Sequence, residues 1–141
     1  MYIYFRFSEL METILEKEID TKKFKATMIE PGLIENYIKP GVNIDVADAW
    51  EIKKSNLELS IGNNYAVLVF SGHLSSVSKG AREVVASRQF VGKTIAKALL
   101  VDSLGHRIVG NFYLTVNKPL ITTKIFTDRE TALNWLRAQI I

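Results

Sequence analysis

Cysteine is absent from this chain of 141 residues. Its absence excludes disulfide bonds, thiol catalysis and thiolate metal sites, and it is consistent with the reducing interior of the cytoplasm, where we expect the protein. The chain has only two histidines, and they show no HExxH-type spacing, so no metal site is predicted. No apolar run reaches the roughly 20 residues of a membrane-spanning helix, so the sequence predicts no membrane span.

An excess of one charge is missing as well. The chain contains 18 Lys and Arg residues against 15 Asp and Glu residues, which gives a net charge of +3. Proteins that bind nucleic acid concentrate basic residues on one face, whereas here they are interspersed with acids, so no nucleic-acid partner is predicted. Glycine-rich phosphate loops are also missing, and no cofactor is predicted.

The length and the composition fit one domain with a real core. Hydrophobic residues make up 48% of the chain and charged residues 23%, as in soluble globular proteins. The strand and helix patterns begin after about residue 20, so we divide the chain into an N-terminal extension, residues 1–20, and a single domain, residues 21–141. The extension carries an apolar segment, Met1–Phe7, without the features of a signal peptide, and a helical pattern over Glu9–Glu18.

Strand signals alternate with helix signals along the domain. Phe24–Ile29 and Leu33–Ile38 alternate apolar and polar residues on either side of a Pro-Gly turn, which predicts a hairpin. Tyr65–Phe70 and Thr94–Val101 are almost continuously apolar, as expected for parallel strands buried on both faces. Lys97 is an unexpected charge inside the second of these strands.

Helix starts are marked by capping residues. Asp45 and Ser78 are predicted N-caps, the second of a helix over residues 79–88. Thr127 precedes the last helix, and Glu130 follows it at the capping-box spacing. The element order is ββαβαβαβα, which predicts an α/β fold with a mixed, mostly parallel five-stranded sheet flanked by four helices.

Four segments carry a family resemblance: Tyr65–Phe70, the helix start Ser78–Glu83, Gly110–Tyr113 before Asn117–Pro119, and the ending Phe126–Leu136. Together they resemble the SpoIIAA-like branch of the STAS fold, which is that of bacterial anti-sigma-factor antagonists, over roughly residues 22–139. The resemblance implies a STAS-like fold and a non-enzymatic regulatory module that acts by protein–protein contact.

The resemblance also implies a control point. In the antagonists, a serine before the second helix is phosphorylated by a partner kinase, and the stretch that matches it here, Leu74–Gly80, offers serines but lacks the family's aspartate. A phosphate there would meet a helix N-terminus and basic side chains. The implied partner is a protein such as a kinase or an anti-sigma-type regulator, and a homodimer is left open. The residues of this surface are Ser75, Ser76, Ser78, Lys79 and Arg82. The alternative is that these serines only cap the helix or form a polar loop.

A ligand site is expected where parallel strands end, because ligands of open α/β sheets lie outside the carboxyl ends of the strands. Two polar loops, residues 71–78 and 102–107, are predicted to meet there. Their candidate ligand residues are His73, Asp102, Ser103, His106 and Arg107. The loops contain serine, histidine and aspartate but no Gly-x-Ser-x-Gly elbow, so no residue is assigned a catalytic role and no enzyme is predicted.

An apolar ligand is the alternative function. The SpoIIAA-like group is similar in fold to lipid-binding domains of the Sec14 type, which implies a small apolar ligand or lipid in a pocket between helices and sheet. The side chains predicted to line it are Phe90, Val91, Leu104, Phe112, Tyr113 and Leu120. The competing interpretation is that these side chains simply fill the core of a small domain.

Overall fold

A computed structural model of the protein describes residues 17–140. The elements in chain order are β1 (Glu18–Asp20), β2 (Phe24–Glu30), β3 (Leu33–Ile38), β4 (Asn43–Ile44), α1 (Val46–Leu59), β5 (Tyr65–Ser71), β6 (Ser76–Val77), α2 (Lys79–Ala86), α3 (Arg88–Val91), β7 (Thr94–Leu100), α4 (Leu104–Phe112), a π-helical turn (Tyr113–Asn117), β8 (Thr122–Phe126) and α5 (Arg129–Ile140). The apolar segment Met1–Phe7 and residues 9–16 of the predicted first helix lie outside the described residues.

The main sheet has six strands in the order β1-β2-β3-β5-β7-β8. The first three form an antiparallel meander, and β3, β5, β7 and β8 run parallel to one another. The predicted α/β class with a mostly parallel sheet is therefore confirmed. The predicted count of five strands is too low by one in this sheet, because Glu18–Asp20 pairs antiparallel with Lys25–Thr27 although its short polar sequence gives no strand signal.

Two further differences concern short elements. A two-residue strand, β4, pairs in parallel with β6 and ties the start of α1 to the start of α2. The predicted helix over residues 79–88 ends at Ala86, and Ser87 has an extended backbone, so Arg88–Val91 forms a separate turn, α3. The described part of the chain therefore has five α-helices where four were predicted.

The caps of α1 and α2 follow the sequence. The Asp45 carboxylate accepts from the N–H of Asp48 at 2.9 Å, and the Asp48 carboxylate accepts from the N–H of Asp45 at 3.0 Å, so a capping box starts α1. The Ser78 hydroxyl accepts from the N–H of Ala81 at 3.1 Å. Both caps satisfy helix N–H groups that have no partner within the helix.

The predicted cap of the last helix is wrong by one residue. The Asp128 carboxylate accepts from the N–H of Thr131 at 2.9 Å and from its hydroxyl at 2.7 Å. Thr127 lies in the bend that precedes the helix. A carboxylate next to the helix start competes well with a threonine hydroxyl, because its charge also meets the positive end of the helix dipole.

The two faces of the sheet have different coverings. On one face α5 alone buries Ala132, Leu133 and Leu136 against small strand residues, Ala66, Ala96 and Ala98. On the other face α1, α2 and α4 lie above the intervening strand residues. Among residues 17–140, none of the helices has the length and apolar character needed to cross a bilayer.

Candidate functional site

A cavity of about 350 Å³ lies between the sheet and the three helices of its second face. Its floor is formed by alternate residues of the parallel strands, such as Val67, Val69 and Leu99, and Ile52 and Val85 contribute from the helices. The volume falls within the ~300–1,000 Å³ of small-molecule sites, towards the lower end. The cavity is mainly apolar and is the candidate site.

Two buried lysines enter this apolar space, and we call Lys53 of α1 and Lys97 of β7 the lysine pair. Their exposed fractions are 5% and 7%. Lys53 Nζ donates to the carbonyl oxygen of Val91 at 2.6 Å and to the hydroxyl of Thr94 at 2.8 Å. Lys97 makes no side-chain hydrogen bond or ion pair with any residue of the described range 17–140, and its Nζ lies 5.9 Å from the ring centroid of Phe90.

Burial lowers the pKa of both lysine side chains, because it disfavours the charged form. It lowers the pKa of Lys53 to about 8. It also lowers the pKa of Lys97 to about 8, with a smaller contribution from repulsion by Lys53. No aspartate or glutamate is among the described residues that line the cavity. The positive charge of the lysine pair is therefore not balanced by a carboxylate of the cavity wall.

A second polar group lies near the carboxyl ends of the strands. His106 Nε2 is 3.2 Å from the backbone carbonyl oxygen of Ser75, which can only accept, so a hydrogen bond between them requires the proton on Nε2. The Ser75 hydroxyl donates to the carbonyl of Gly72 at 2.7 Å and lies 3.5 Å from the same Nε2. In this tautomer the imidazole cannot take a proton from the serine through Nε2.

Several buried polar atoms around the cavity lack a hydrogen-bond partner in residues 17–140. They are Tyr65 Oη, Arg82 Nε, His106 Nδ1 and Tyr113 Oη. The Tyr65 hydroxyl has Asn56 and Thr94 beside it but makes no hydrogen bond of good geometry, and burial raises its pKa. Burial also raises the pKa of Tyr113. Buried polar atoms are nearly always paired, so their concentration at one cavity favours a site for a ligand with polar groups.

Two asparagines form a reciprocal hydrogen-bonded pair at the wall of the cavity. Asn36 of β3 donates to Asn56 of α1 at 2.7 Å, and Asn56 donates back at 2.9 Å. Both side chains are buried. The reciprocal bonds fix α1 on the sheet and hold the face of α1 that also carries Lys53.

Of the predicted ligand-loop residues, only His106 lines the cavity. His73, Asp102 and Arg107 are exposed. The Ser103 hydroxyl accepts from the N–H of His106 at 3.1 Å and caps α4. The two loops do meet, through Ser75 and His106, but the serine, histidine and aspartate of the sequence do not assemble: Asp102 makes no hydrogen bond to His106.

The three predicted serines have three different environments. Ser75 is buried and lines the cavity, Ser78 caps α2, and Ser76 is exposed with its hydroxyl donating to Asn43 Oδ1 at 2.9 Å. Only Ser76 therefore combines exposure with freedom from a helix-capping role.

The two basic residues of the same surface are also separated. The Lys79 side chain is exposed and lies 3.9 Å from the Glu83 carboxylate. Arg82 lines the cavity, donates to the carbonyl of Val77 at 2.6 Å and has its guanidinium carbon 5.6 Å from the ring centroid of Phe112. Arg82 therefore connects the predicted partner surface to both the cavity and α4.

The apolar lining predicted from the sequence is correct for two of its six residues. Phe90 and Tyr113 line the cavity. Val91 contributes its carbonyl to Lys53 without lining the cavity. Leu104, Phe112 and Leu120 are wrong: all three are exposed, with 72% of Leu104 accessible. α4 turns Leu104 and Phe112 away from the sheet, and Leu120 lies in the segment that follows the π-helical turn. Four exposed residues at intervals of four, Leu104, Ile108, Phe112 and Val116, form what we call the α4 row.

Lys53, Asn36 and Asn56 were missed as site residues. Lys53 looks like a charge placed to suit the end of a helix dipole. The available signal is spacing: Ala49, Lys53 and Asn56 recur at i, i+4 and i+7, which puts a lysine and an asparagine on the buried stripe of α1. Within residues 17–140, no three acidic or histidine side chains come together as a metal site requires.

Comparisons with known proteins agree with the fold. The family model described as "Domain of unknown function (DUF7793)" matches residues 27–140. No curated protein matches the chain. A solved structure of an uncharacterized protein of the DUF3478 family from Shewanella loihica PV-4, described as having a SpoIIAA-like fold, superposes with a TM-score of 0.54 at 11% identity, covering 85% of this chain and 90% of that one. The predicted SpoIIAA-like fold is thus confirmed.

Proposed function

This chain belongs to the DUF7793 family, and on that premise we propose that it is a non-enzymatic binding module whose cavity takes a small, mainly apolar ligand. The family description carries no activity, so the proposal rests on the site. The observation that carries it is the cavity of about 350 Å³ between the sheet and α1, α2 and α4. This is the ligand-carrier alternative predicted from the sequence.

Two features of the cavity support binding over simple core packing. A domain of this size normally fills such a space with its own side chains, because interiors are close-packed. Here α4 covers the part of the cavity near the carboxyl ends of the strands. It directs Leu104 and Ile108 to solvent instead of into the cavity. The unpartnered polar atoms, such as Tyr113 Oη and Arg82 Nε, would gain partners from a ligand that carries polar groups.

The test uses a neutral apolar probe, N-phenyl-1-naphthylamine, whose fluorescence rises in an apolar environment. We expect the wild-type protein to bind it saturably. Val69→Phe places a larger side chain in the floor of the cavity and is expected to weaken binding at least tenfold. Val116→Phe is the matched control, because Val116 belongs to the exposed α4 row and does not line the cavity.

The outcomes separate the cavity from the surface. Weak binding by Val69→Phe with normal binding by Val116→Phe supports the cavity as the site. The absence of saturable binding by the wild type, or equal affinity of Val69→Phe and wild type, would contradict the proposed function. Circular dichroism and thermal unfolding of each variant check that it is folded before binding is compared.

We propose regulatory protein–protein contact as a second candidate function, with serine phosphorylation as its control. The specific observation in favour is the exposure of Ser76 two residues before the cap of α2, with the exposed ammonium of Lys79 close along the chain. A phosphate on Ser76 would lie near the positive end of the α2 dipole. The α4 row adds an exposed apolar surface beside it, joined through the contact of Arg82 with Phe112.

Phosphopeptide mapping tests this second candidate. Protein isolated from its native cells is expected to yield a phosphorylated peptide that contains Ser76, and a Ser76→Ala protein expressed in the same cells is expected to lack it. Unmodified Ser76 with complete peptide coverage, under the growth conditions in which the protein is made, would refute the switch.

A further inference from the structure

The structure points to the charge of the ligand. We propose that the cavity binds an organic anion, a carboxylate on an apolar body, with the carboxylate against Lys97 and with Lys53 behind it. This inference deepens the proposed binding function and rests on it. Nothing in the family description or in the solved relative assigns such a group.

The positive charges in the cavity are not balanced by the protein. Lys97 and Lys53 approach the same aromatic ring, with Nζ atoms 5.9 Å and 5.4 Å from the ring centroid of Phe90. Two ammonium groups in one apolar space repel each other, and the described wall of the cavity supplies no carboxylate to offset them. An anion that enters the cavity would be attracted by both lysines. Water screens this attraction less inside the cavity than at the protein surface.

The two residues of the lysine pair differ in their hydrogen bonds. Lys53 donates two of its three N–H groups, to the carbonyl of Val91 and to the hydroxyl of Thr94, so the protein itself fixes this ammonium in place. Lys97 donates no side-chain hydrogen bond to residues 17–140, although only 7% of the residue is exposed. Buried charged groups are normally paired. Lys97 is therefore the residue whose partner is expected from outside the chain.

The floor of the cavity extends beyond the lysine pair. β5, which runs along the floor, has seven residues and therefore a length of roughly 20 Å. Val67 lies beside Lys97 in the sheet, and Val69 and Leu99 continue the floor from there towards the carboxyl ends of the strands, where His106 lines the cavity. This arrangement suits an anionic head group followed by an apolar body. Within residues 17–140 the lysine pair has no glycine-rich loop beside it, and Arg82, the other basic residue of the cavity wall, already donates to the carbonyl of Val77, so the site suits a carboxylate better than a phosphate.

The experiment compares two ten-carbon ligands, one with a negatively charged head group and one with an uncharged head group. Decanoate and decan-1-ol are titrated into the full-length protein at pH 7 below their aggregation limits, with binding followed by calorimetry. We expect decanoate to bind at least tenfold more tightly than decan-1-ol. In Lys97→Met the decanoate affinity is expected to fall to within threefold of that of decan-1-ol, whose own affinity stays within threefold of its wild-type value.

Lys54→Met is the matched control, because Lys54 is the exposed neighbour of Lys53 on α1 and does not line the cavity. It is expected to keep the full preference for decanoate. Lys97→Gln provides a second uncharged variant if Lys97→Met does not fold. Acetate at the same concentration is expected to compete weakly, because it lacks the apolar body.

The outcomes distinguish this inference from the proposed function. Equal affinity of wild type for the acid and the alcohol, or an equal loss of both ligands in Lys97→Met, would overturn the anion site while leaving the binding function in place. Binding of N-phenyl-1-naphthylamine without binding of either ten-carbon ligand would also overturn it. Failure of all three ligands would overturn the proposed function as well.

Discussion

Replacement of Lys97 by methionine is expected to make the fold more stable. Most substitutions of buried residues destabilise a protein. Here the wild-type residue keeps a charge in an apolar space without a carboxylate partner in the described wall, and methionine has a similar length without the charge. Groups that bind ligands are commonly retained at the expense of stability, which is the pattern expected if Lys97 serves a ligand.

The size of the effect follows from the pKa of Lys97. Folding lowers this pKa from 10.5 to about 8. Each pKa unit corresponds to about 1.4 kcal/mol, so the charged side chain destabilises the folded state by about 3 kcal/mol at pH 7. Since the pKa is lower in the folded state, the unfolded chain binds more protons between pH 8 and pH 10.5. The contribution of Lys97 to the free energy of unfolding therefore becomes less unfavourable as the pH rises through that window.

Urea unfolding of wild type and Lys97→Met at two pH values measures this effect. The variant is expected to gain about 3 kcal/mol at pH 7 and only about 1 kcal/mol at pH 9.5, where the wild-type lysine is largely neutral. Taking the difference between the two proteins removes the other groups that titrate in this range. Lys54→Met is expected to differ from wild type by less than about 0.5 kcal/mol at both pH values, since its side chain is exposed.

Two results would refute the reasoning about Lys97. One is a variant less stable than wild type at pH 7, which would mean that the ammonium is well compensated. The other is a gain in stability that does not change between pH 7 and pH 9.5, which would attribute the gain to packing and not to charge. Either result would also remove a main support of the anion site.

Three further substitutions test the fold around the cavity. Gly72→Ala is expected to lower the free energy of unfolding by about 2–3 kcal/mol, because its Cβ would lie 2.7 Å from the backbone nitrogen of Pro40. Gly105→Ala has open space around its Cβ within α4 and is expected to raise stability by up to about 1 kcal/mol, so loss of stability in thermal unfolding would contradict the assignment of this helix. Asn36→Ala leaves the buried amide of Asn56 without its partner and is expected to lower the free energy of unfolding in urea by about 2 kcal/mol. The double alanine variant is expected to lose less stability than the two single variants together, and strictly additive losses would refute the pairing.

Much of the fold could be predicted because its strongest elements have unambiguous local signals. The apolar runs of β5 and β7 have the composition of strands buried on both faces, and both form central strands. Asp45 and Ser78 cap their helices as predicted, because the oxygen of a short polar side chain just before a helix can accept from a free N–H of its first turn. The edge strand β1 was missed because hydrogen bonding to β2, and not its own sequence, makes it a strand.

The site was less predictable because it depends on burial that contradicts residue preference. Lysine is almost never fully buried, so a lysine on a charged helix such as Lys53 gives no signal of a cavity residue. Lys97 was recognised as unusual, but only the tertiary structure brings it and Lys53 to the same ring, that of Phe90. The apolar residues of α4 recur at a helical period, yet a period cannot tell whether a face is covered by the rest of the fold, and Leu104 is exposed.

The alanines under α5 set a limit on how this protein can change. Ala66, Ala96 and Ala98 have no exposed surface, and α5 lies directly on them, so any larger side chain there would push the helix off the sheet. The neighbouring positions along the same strands, such as Val67 and Lys97, line the cavity and can accept side chains of other sizes. Tolerance to substitution is therefore expected to alternate residue by residue along β5 and β7, and a deep mutational scan would show it with a period of two. One side of each strand can adapt to new ligands while the other keeps the backbone unchanged.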